Sequence, residues 1–387
     1  MKTFLPPLLT AALSLPFAAM AEQAVTSDWD AIVKEAEGQT VYFNAWGGSP
    51  QINQYLRWAD KELQQQYDVR LVHVKVNDIA ETVNRLVAEK AAGKHSGGSV
   101  DLVWVNGENF KSLKHNDLLW GPFVDTLPSW QFIDKSLPVD VDFTEPTEGL
   151  EAPWGVGQLV FIYDTDTLAS PPNSFAELLT YAKSQPGRIS YPQPPEFHGS
   201  SFLKAALLEL SGNDAALYQP VDAAKFDQIT APLWHYLDQL HPLTWQQGAR
   251  FPTSSGETKQ LLNDGQIDLA ITFNPNDALA GVANGTLPAS VDTFAFEQGA
   301  LSNIHFLAIP WNSDHSAGAQ VVVDFLLSPE AQTRKANADI WGDPAVVATE
   351  FLTGESQGFA LFPSLPEPHP SWQTALEKEW QERYGSK

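Results

Sequence analysis

The sequence of 387 residues carries 23 lysine and arginine residues against 47 aspartate and glutamate residues, a formal net charge of −24. Such a chain repels nucleic acids and anionic membranes, so we exclude both as partners. It has no cysteine, which excludes disulfides and thiol catalysis, and its 43% hydrophobic content and its length predict a folded protein of two domains.

The first 21 residues have the pattern of a secretory signal peptide. Lys2 supplies a positive charge, a short apolar run follows, and Ala19-Met20-Ala21 fits the small-x-small cleavage rule, which predicts cleavage before Glu22. The run is too short to span a bilayer, and no later run approaches the roughly 20 apolar residues of a membrane helix. We therefore expect a soluble protein of the bacterial periplasm.

The first half of the mature chain alternates helix and strand patterns, which is typical of an α/β domain with a largely parallel sheet. Apolar spacing predicts helices over residues 29–36, 52–63 and 79–92 and strands over 40–43, 69–76 and 100–105. The last strand is nearly all apolar, so we expect both of its faces to be covered. Ligands bind beyond the carboxyl ends of the strands in such sheets.

The segment "FNAWGGSP" follows the first of these strands and has two interpretations. In one, Gly47 and Gly48 form a turn, Ser49 caps a helix that begins at Pro50, and Trp46 only packs. In the other, the glycines bring the backbone close to a ligand, Trp46 stacks on it, and the unpaired N–H groups of the helix start bind it. This segment alone leaves both open.

The second half is less regular, because proline and acidic residues dominate residues 121–153 and proline recurs over 185–196 and 363–370. The patterns predict strands over 158–163, 267–273 and 304–309 and helices over 174–182, 200–210, 317–327 and from residue 371 onward.

Catalytic motifs are missing from the sequence. It contains no nucleophile elbow, no zinc-protease motif, no phosphate-binding loop and no dinucleotide fingerprint, its nine histidines are scattered, and no two tyrosines are adjacent. Asp164 and Asp166 flank a strand end, which favours a turn. The missing motifs predict that the protein is not an enzyme and that it holds no metal and no cofactor. The alternative is a secreted hydrolase acting on a sugar or phosphate ester, which only the tryptophan content and scattered carboxylates support.

Several segments together resemble the extracellular solute-binding proteins of ABC importers. "APWGVGQLVFIYDTDTL" (152–168) is similar to the family's crossover strand, although Asp164 stands where the family usually has Asn, and "DFLLSPEAQ" (324–332) is similar to a helix end shared widely in the family. "RISYPQPPEFHGSSF", "ITFNPNDA" and "ADIWGDPAVV" resemble a branch often called the YnjB type, which is related to binding proteins for thiamine, polyamines and ferric ion.

The resemblance implies a two-lobed periplasmic-binding-protein fold of type II, with mixed, mostly parallel sheets flanked by helices and a ligand cleft at the hinge. The first lobe would hold residues 22–153 and 302–338, and the second lobe residues 154–301 and 339–387. It also implies a periplasmic substrate-binding component, a monomer that captures a small organic solute between its lobes and delivers it to an inner-membrane ABC permease. An interaction module without a small ligand remains a third alternative.

On that architecture, we expect two groups of residues to contact the solute. The first lobe and the hinge would contribute Trp46, Gly47, Gly48, Ser49, Asn106, Gly107, Glu108 and Trp154. The second lobe would contribute Tyr191, Glu196, Phe197, Ser200, Ser201, Asn274, Asn276 and Trp341. Aromatic faces with Glu108 and Glu196 suit an organic cation, and serines at a helix start suit a phosphate or carboxylate, so thiamine or one of its phosphates fits both features. Helix capping, turn formation and core packing remain the alternative roles.

Overall fold

Helices and strands alternate along most of the chain in the computed structural model, which describes residues 28–354 and 361–385. The helices are α1 (28–36), α2 (Pro50–Tyr67), α3 (Ala80–Ala91), α4 (Gly107–His115), α5 (Phe175–Ser184), α6 (Phe197–Leu210), α7 (Phe226–Leu240), α8 (Ser255–Asn263), α9 (Asp277–Ala283), α10 (Ser316–Leu327), α11 (Pro329–Ala336) and α12 (Ser371–Tyr384). The strands are β1 (Thr40–Trp46), β2 (Arg70–Val76), β3 (Leu102–Val105), β4 (Val141–Asp142), β5 (Glu145–Pro146), β6 (Glu151–Gln158), β7 (Val160–Asp164), β8 (Leu269–Thr272), β9 (Val291–Phe294), β10 (Ala300–Ala308) and β11 (Ser364–Pro366). The predicted signal peptide lies outside the described residues. Every helix within them is too short or too polar to cross a membrane.

The larger sheet has the strand order β2-β1-β3-β10-β6, with β11 beside the first residues of β10. β1 runs parallel to β2 and β3, whereas β10 runs antiparallel to both β3 and β6. This confirms the predicted mixed α/β class. The parallel part is the strand-helix-strand segment with the regular sequence pattern, and the antiparallel part is built from the strands that follow it.

Both faces of this sheet are covered, as the apolar run around β3 predicts. On one face, Leu102 packs with Phe43 of β1 and the buried side of α2. This cluster, which also includes buried residues of β6, β10 and α10, is called the first core. Val103 points to the other face and packs with Phe110 of α4 and Leu86 of α3. The alternation of side chains along a strand therefore gives each face its own apolar layer.

A second core surrounds the smaller sheet, in which β7 lies between β8 and β9 and is antiparallel to both. Helices α5, α6, α7 and α12 contribute its buried side chains. The sequence patterns did not predict α7, which contains Pro232 in its interior. A proline there removes a helix hydrogen bond, but the buried face of α7 compensates through packing.

The chain passes from the larger to the smaller sheet through one residue, Leu159, between the end of β6 and the start of β7. The Leu159 N–H donates to the carbonyl of Leu301, where β10 carries the chain back, over 2.8 Å. The Gln158 side-chain amide joins the same place to the segment before β11: its Nε2 lies 2.9 Å from Ser302 Oγ and 3.0 Å from the Phe362 carbonyl. The two cores therefore meet at a narrow crossing point.

The packing bears on where the predicted lobes divide. The sequence-based division assigns residues from 339 onward to the second lobe, yet Trp341 and Val347 pack in the first core, as does Trp154. The tail joins the second core through Trp372 and Trp380 of α12. Both segments of the first lobe would thus extend further along the chain than the sequence indicates, and the lobe boundaries themselves stay a prediction.

Candidate functional site

A cavity of about 260 Å³ opens between residues of the two cores. Its first wall includes Trp46, Ser49, Trp104, Asn106, Glu108 and Trp341. Its second wall includes Glu196, Phe197, His198, Lys259, Phe273 and Asn274. Trp46, Ser49, Asn106 and Glu108 follow the carboxyl ends of β1 and β3, which is where a parallel sheet offers a ligand crevice.

The loop after β1 shows why glycines follow Trp46. A side chain on Gly48 would start 2.3 Å from Cζ2 of Trp46, so the indole ring folds back over Gly48 and only glycine leaves room for it. A Cβ on Gly47 would likewise collide with the side chain of Lys75. Neither glycine lines the cavity; they position the ring of Trp46, which does. Ser49 caps α2 by accepting from the Ile52 N–H, and Pro50 occupies its first turn.

The start of α4 places Glu108 in the first wall. Gly107 has φ of 59° and lies against the ring of Phe143, 2.6 Å from where its Cβ would be, so glycine is required there. Its N–H donates to the carboxylate of Asp142 over 2.5 Å. Gly107 therefore shapes the turn without lining the cavity, and the next residue faces it.

Glu108 is a buried acid without a full set of partners. Its Oε1 accepts from Asn109 Nδ2 at 3.1 Å, whereas Oε2 has no hydrogen-bond partner among the described residues. Burial raises the pKa of Glu108 to about 7; Lys204 opposes this, and Glu377 and Glu367 add to it. The carboxyl group thus titrates near neutral pH.

Lys204 of α6 does not neutralise Glu108 directly, because it is engaged elsewhere. Its Nζ lies 2.9 Å from the Glu367 carboxylate and donates to Gln373 Oε1 over 2.9 Å, and both charged side chains are almost fully buried. It also lies 4.7 Å from the ring centre of Phe143. A buried cation that is already paired lowers the cost of burying nearby acids but leaves Glu108 free for another cation.

A cluster of packed rings belongs to the first wall. Trp104 and Trp341 both line the cavity and lie 5.0 and 5.2 Å, centre to centre, from Trp154, which is completely buried beneath them. His305 of β10 joins the cluster 5.0 Å from Trp104 and also lines the cavity. Trp154 therefore supports the first wall through core packing, and its position differs from the predicted cleft contact.

Asp343 lies against this ring cluster and also lines the cavity. Its carboxylate lies 3.1 Å from His305 Nε2 and pairs with the fully buried Lys335. Burial acts against ionisation of Asp343, but Lys335 and His305 outweigh it and hold the pKa of Asp343 below its ordinary value.

The second wall is formed largely by the start of α6. The Glu196 carboxylate accepts from the N–H groups of His198 and Gly199 and lies 2.9 Å from His198 Nδ1. Burial works against the ionised form, but His198 and these N–H groups outweigh it and lower the pKa of Glu196. The rings of Phe197 and Phe273 lie 4.8 Å apart and add an apolar surface to this wall.

Three residues predicted near this helix do not line the cavity. Tyr191 is buried in the second core, stacked on Phe202 at 4.3 Å, and accepts from Trp380 Nε1. The hydroxyl of Ser200 donates to Glu377, and Ser201 is fully buried. Because the Glu196 carboxylate already occupies the free N–H groups at the start of α6, this helix end offers no place for an anion.

The two predicted asparagines have different positions. Asn274 lines the cavity, but its side chain donates to the Trp341 carbonyl over 3.2 Å and accepts from the Asn276 N–H. Asn276 does not line the cavity, since its side-chain amide donates to the Gly342 carbonyl over 2.7 Å. These amides hold the backbone that carries Trp341, a long-range contact for which the sequence gives no local signal.

Of the sixteen predicted residues, half line the cavity: Trp46, Ser49, Asn106, Glu108, Glu196, Phe197, Asn274 and Trp341. Sequence reasoning missed Trp104, His198, Phe273, His305 and Asp343. Trp104 lies within the apolar strand β3, where a core role is the simpler interpretation, and His198 directly follows Phe197, which the sequence predicts as a solute contact. Within residues 28–354 and 361–385, no three His, Asp or Glu side chains are arranged to hold a metal ion.

Comparison with known proteins identifies the family. A family model described as bacterial extracellular solute-binding protein matches residues 58–351. Protein YnjB of Escherichia coli (strain K12) is 47% identical over 367 residues, which cover 93% of this chain and 95% of that protein.

Solved structures share the fold at low sequence identity. A periplasmic thiamin binding protein has a TM-score of 0.65 at 17% identity and covers 89% of this chain and 95% of its own. The spermidine/putrescine ABC transporter substrate-binding protein PotD from Streptococcus pneumoniae has a TM-score of 0.63 at 14% identity, with 90% and 96% covered. Periplasmic binding protein AfuA from Actinobacillus pleuropneumoniae, with fructose-6-phosphate bound, has a TM-score of 0.65 at 16% identity, with 90% and 99% covered. The fold is thus the two-lobed fold of periplasmic binding proteins, and the chain belongs to the bacterial extracellular solute-binding proteins, which supply ABC transporters with their substrates.

Proposed function

We propose that this protein is a periplasmic receptor that captures a small organic cation between its lobes and delivers it unchanged to an inner-membrane permease. The observation that carries the proposal is Glu108, a carboxyl group with one unpartnered oxygen among the described residues, in a cavity walled by aromatic rings. A buried acid in this setting is stabilised in its charged form by a cation that enters with the solute.

The aromatic rings support the same class of solute. Trp46, Trp104 and Trp341 on one wall face a cavity whose other wall holds Phe197 and Phe273. Ring faces attract organic cations and stack on flat heterocycles, and the attraction grows when water is excluded. The net charge of −24 also produces a long-range negative potential, which attracts cations to the protein.

The proposed solute is a cation without a phosphate group. The phosphate alternative depended on Ser200 and Ser201, which lie away from the cavity, and on an open helix start that Glu196 occupies. Thiamine therefore fits these surroundings better than its phosphates. The cavity volume of about 260 Å³ is slightly below the usual range of about 300–1,000 Å³ for ligand pockets. The cavity therefore favours a solute no larger than thiamine.

The proposal includes export and cleavage of the leader before Glu22. N-terminal sequencing of the protein recovered from the periplasmic fraction tests this part. A first residue of Glu22 supports it, and a mature chain that still begins with Met1 contradicts it.

Native mass spectrometry tests the binding function. The purified protein and its Glu108→Gln variant are exposed to periplasmic extract and, separately, to thiamine and spermidine, and any bound molecule is released and identified. We expect one cation per chain, recovered chemically unchanged, with occupancy strongly reduced in Glu108→Gln. An anionic solute, or a solute recovered as a reaction product, would overturn the proposal.

A further inference from the structure

We propose that His305 determines solute specificity, because its Nδ1 accepts a hydrogen bond from an N–H or O–H group of the bound molecule. This inference rests on the proposed function and refines the solute class. It predicts a cation that carries at least one hydrogen-bond donor, such as an amine or an amino-substituted ring, rather than a fully methylated ammonium ion.

The position of His305 places it in the wall of the cavity. It lies within β10, between β3 and β6 of the larger sheet, and is paired with Gly155 of β6. Its ring lies 5.0 Å from Trp104 and is nearly parallel to Trp341, at 29° and 6.4 Å. All three side chains line the cavity, so the imidazole is held in one orientation at the surface that a solute would meet.

Asp343 fixes one nitrogen of the ring. His305 Nε2 lies 3.2 and 3.1 Å from the two carboxylate oxygens of Asp343. A Cβ on Gly155 would lie 2.3 Å from Nε2 and 2.1 Å from Oδ2 of Asp343, so glycine is needed on β6 for this pair to form. Nε2 of the ring is therefore paired within the protein, whereas Nδ1 remains available for a hydrogen bond with another molecule.

The charges around the ring determine which nitrogen carries the proton. Lys335 is completely buried, contacts Asp343 and also donates to the Pro344 carbonyl over 3.0 Å. Lys335 and Asp343 already form a neutral pair, so a charged imidazole would add an uncompensated buried charge. Burial lowers the pKa of His305, and Lys335 adds to this, although Asp343 opposes it. The ring is thus neutral, with its proton on Nε2 directed at Asp343.

A neutral ring with the proton on Nε2 has an acceptor at Nδ1. This atom is buried and has no hydrogen-bond partner among the described residues. Buried acceptors are nearly always paired in folded proteins, so an unpaired one at a cavity wall points to a partner that enters with the solute. Glu108 is likewise an acceptor, and a solute that satisfies both must bring donors to both places.

Two matched variants of His305 test the roles of its two ring nitrogens separately. His305→Gln keeps an amide donor near the position of Nε2, where Asp343 accepts, and removes the acceptor at Nδ1. His305→Asn keeps an acceptor near Nδ1 and loses the contact with Asp343. Calorimetric titrations use thiamine and spermidine, which carry N–H donors, and acetylcholine and tetramethylammonium, which carry none.

We expect His305→Gln to bind thiamine or spermidine at least about tenfold more weakly than the native protein, and His305→Asn to lose clearly less. Neither variant should change the affinity for acetylcholine or tetramethylammonium, because these cations carry no donor for Nδ1. If the panel binds the native and His305→Gln proteins equally well, the proposed function stands and this inference alone is overturned. If none of the four cations binds the native protein, the cationic solute class is overturned and this inference with it.

Nitrogen-15 NMR of histidine-labelled protein tests the ring itself, with His305→Gln to assign its signals. We expect a neutral ring at pH 7 with the proton on Nε2. A doubly protonated ring or a proton on Nδ1 overturns the inference, whatever the titrations give.

Discussion

A single carboxyl group, that of Glu108, connects the chemistry of the cavity with pH. Burial raises its pKa to about 7 while Lys204 acts in the opposite direction, so neither the protonated nor the ionised form dominates at neutral pH. A cation in the cavity would favour the ionised form. Solute binding and ionisation of this one group are therefore coupled.

The raised pKa of Glu108 predicts a pH dependence of folding. The native state binds this proton more tightly than the unfolded chain, whose pKa is the ordinary 4.5, so the contribution of Glu108 to stability is greatest below pH 4.5 and is lost as pH rises through 7. The native value of about 7 corresponds to a loss of up to roughly 3 kcal/mol at pH 8. Urea unfolding at pH 5 and pH 8 measures it; Glu108→Gln should remove this part of the difference, and Glu81→Gln on the exposed surface should not. Equal pH differences in native and Glu108→Gln proteins would contradict the assignment.

The same group predicts the pH dependence of binding. Thiamine affinity should rise between pH 6 and pH 8, because the carboxylate replaces the neutral acid, and the rise should be smaller in Glu108→Gln. Fluorescence titration at several pH values checks this. An affinity that falls over that range would show that Glu108 does not contact the cation.

The sequence predicts that both Trp46 and Tyr191 contact the solute, and the structure separates them. Trp46 lines the cavity, whereas Tyr191 is buried in the second core. Trp46→Ala should weaken thiamine binding by about 1–2 kcal/mol. Tyr191→Ala should instead lower the free energy of unfolding by about 3–5 kcal/mol. Tyr191→Phe, which retains the ring, should keep native thiamine affinity, and a large loss of affinity in this variant would refute the distinction.

The turn between β8 and α9 acts as a clasp on the loop that follows α11. The amides of Asn274 and Asn276 donate to successive carbonyls of that loop, at Trp341 and Gly342. The turn follows β8, whose Leu269 and Ile271 pack in the second core, whereas the loop packs in the first core through Trp341. The clasp therefore holds Trp341 in the cavity wall through backbone contacts that do not depend on its ring.

We expect Asn276→Ala to cost about 1–3 kcal/mol of stability, because the buried Gly342 carbonyl loses its donor. Asn276→Asp, nearly identical in shape but unable to donate while ionised, should cost at least as much. Chemical unfolding of both variants measures the effect. If Asn276→Asp were as stable as the native protein, the hydrogen bond would contribute nothing and the clasp would be disproved.

Local patterns in the sequence were informative where one element alone determines the structure. The apolar spacing of α2 predicted a helix, and the continuous apolar run of β3 predicted a strand with both faces covered. The rule that ligands bind beyond the carboxyl ends of strands led to Ser49 and Asn106, which line the cavity. The sequence could not show that Glu196 would cap α6 and so exclude an anion, or that Ser200 would turn towards Glu377. His305 and Asp343 stand 38 positions apart, on a strand and in a loop, so only the folded chain pairs them.

The whole molecule depends on a small crossing point between its two cores. The amide of Gln158 is fully buried there: its Oε1 accepts from the Phe362 N–H at 2.9 Å, and its Nε2 contacts Ser302, Ser364 and the Phe362 carbonyl. One side chain thus ties together the three places where β6, β10 and the segment leading to β11 meet. The neighbouring Leu159 is the single residue between β6 and β7, and β10 brings the chain back beside it.

Gln158→Leu should therefore destabilise the protein by about 2–4 kcal/mol, since it leaves several buried polar groups without partners. Gln66→Leu, on the exposed side of α2, is the matched control and should change stability by less than about 0.5 kcal/mol. Urea unfolding followed by circular dichroism gives both values. Similar stabilities for the two variants would mean that the crossing point does not depend on this amide.

The packed indoles of Trp104, Trp154 and Trp341 have a spectroscopic consequence. Their centres lie 5.0 to 5.8 Å apart and the pairs are crossed at 68–80°, so their electronic transitions couple and produce a strong signal in the near-ultraviolet circular dichroism. Two of these rings form the wall that a solute would touch, while the third is sealed beneath them. Occupancy of the cavity should therefore be visible in unlabelled protein as a change in this coupled band, and Trp154→Phe should abolish much of the band without removing a ring from the wall.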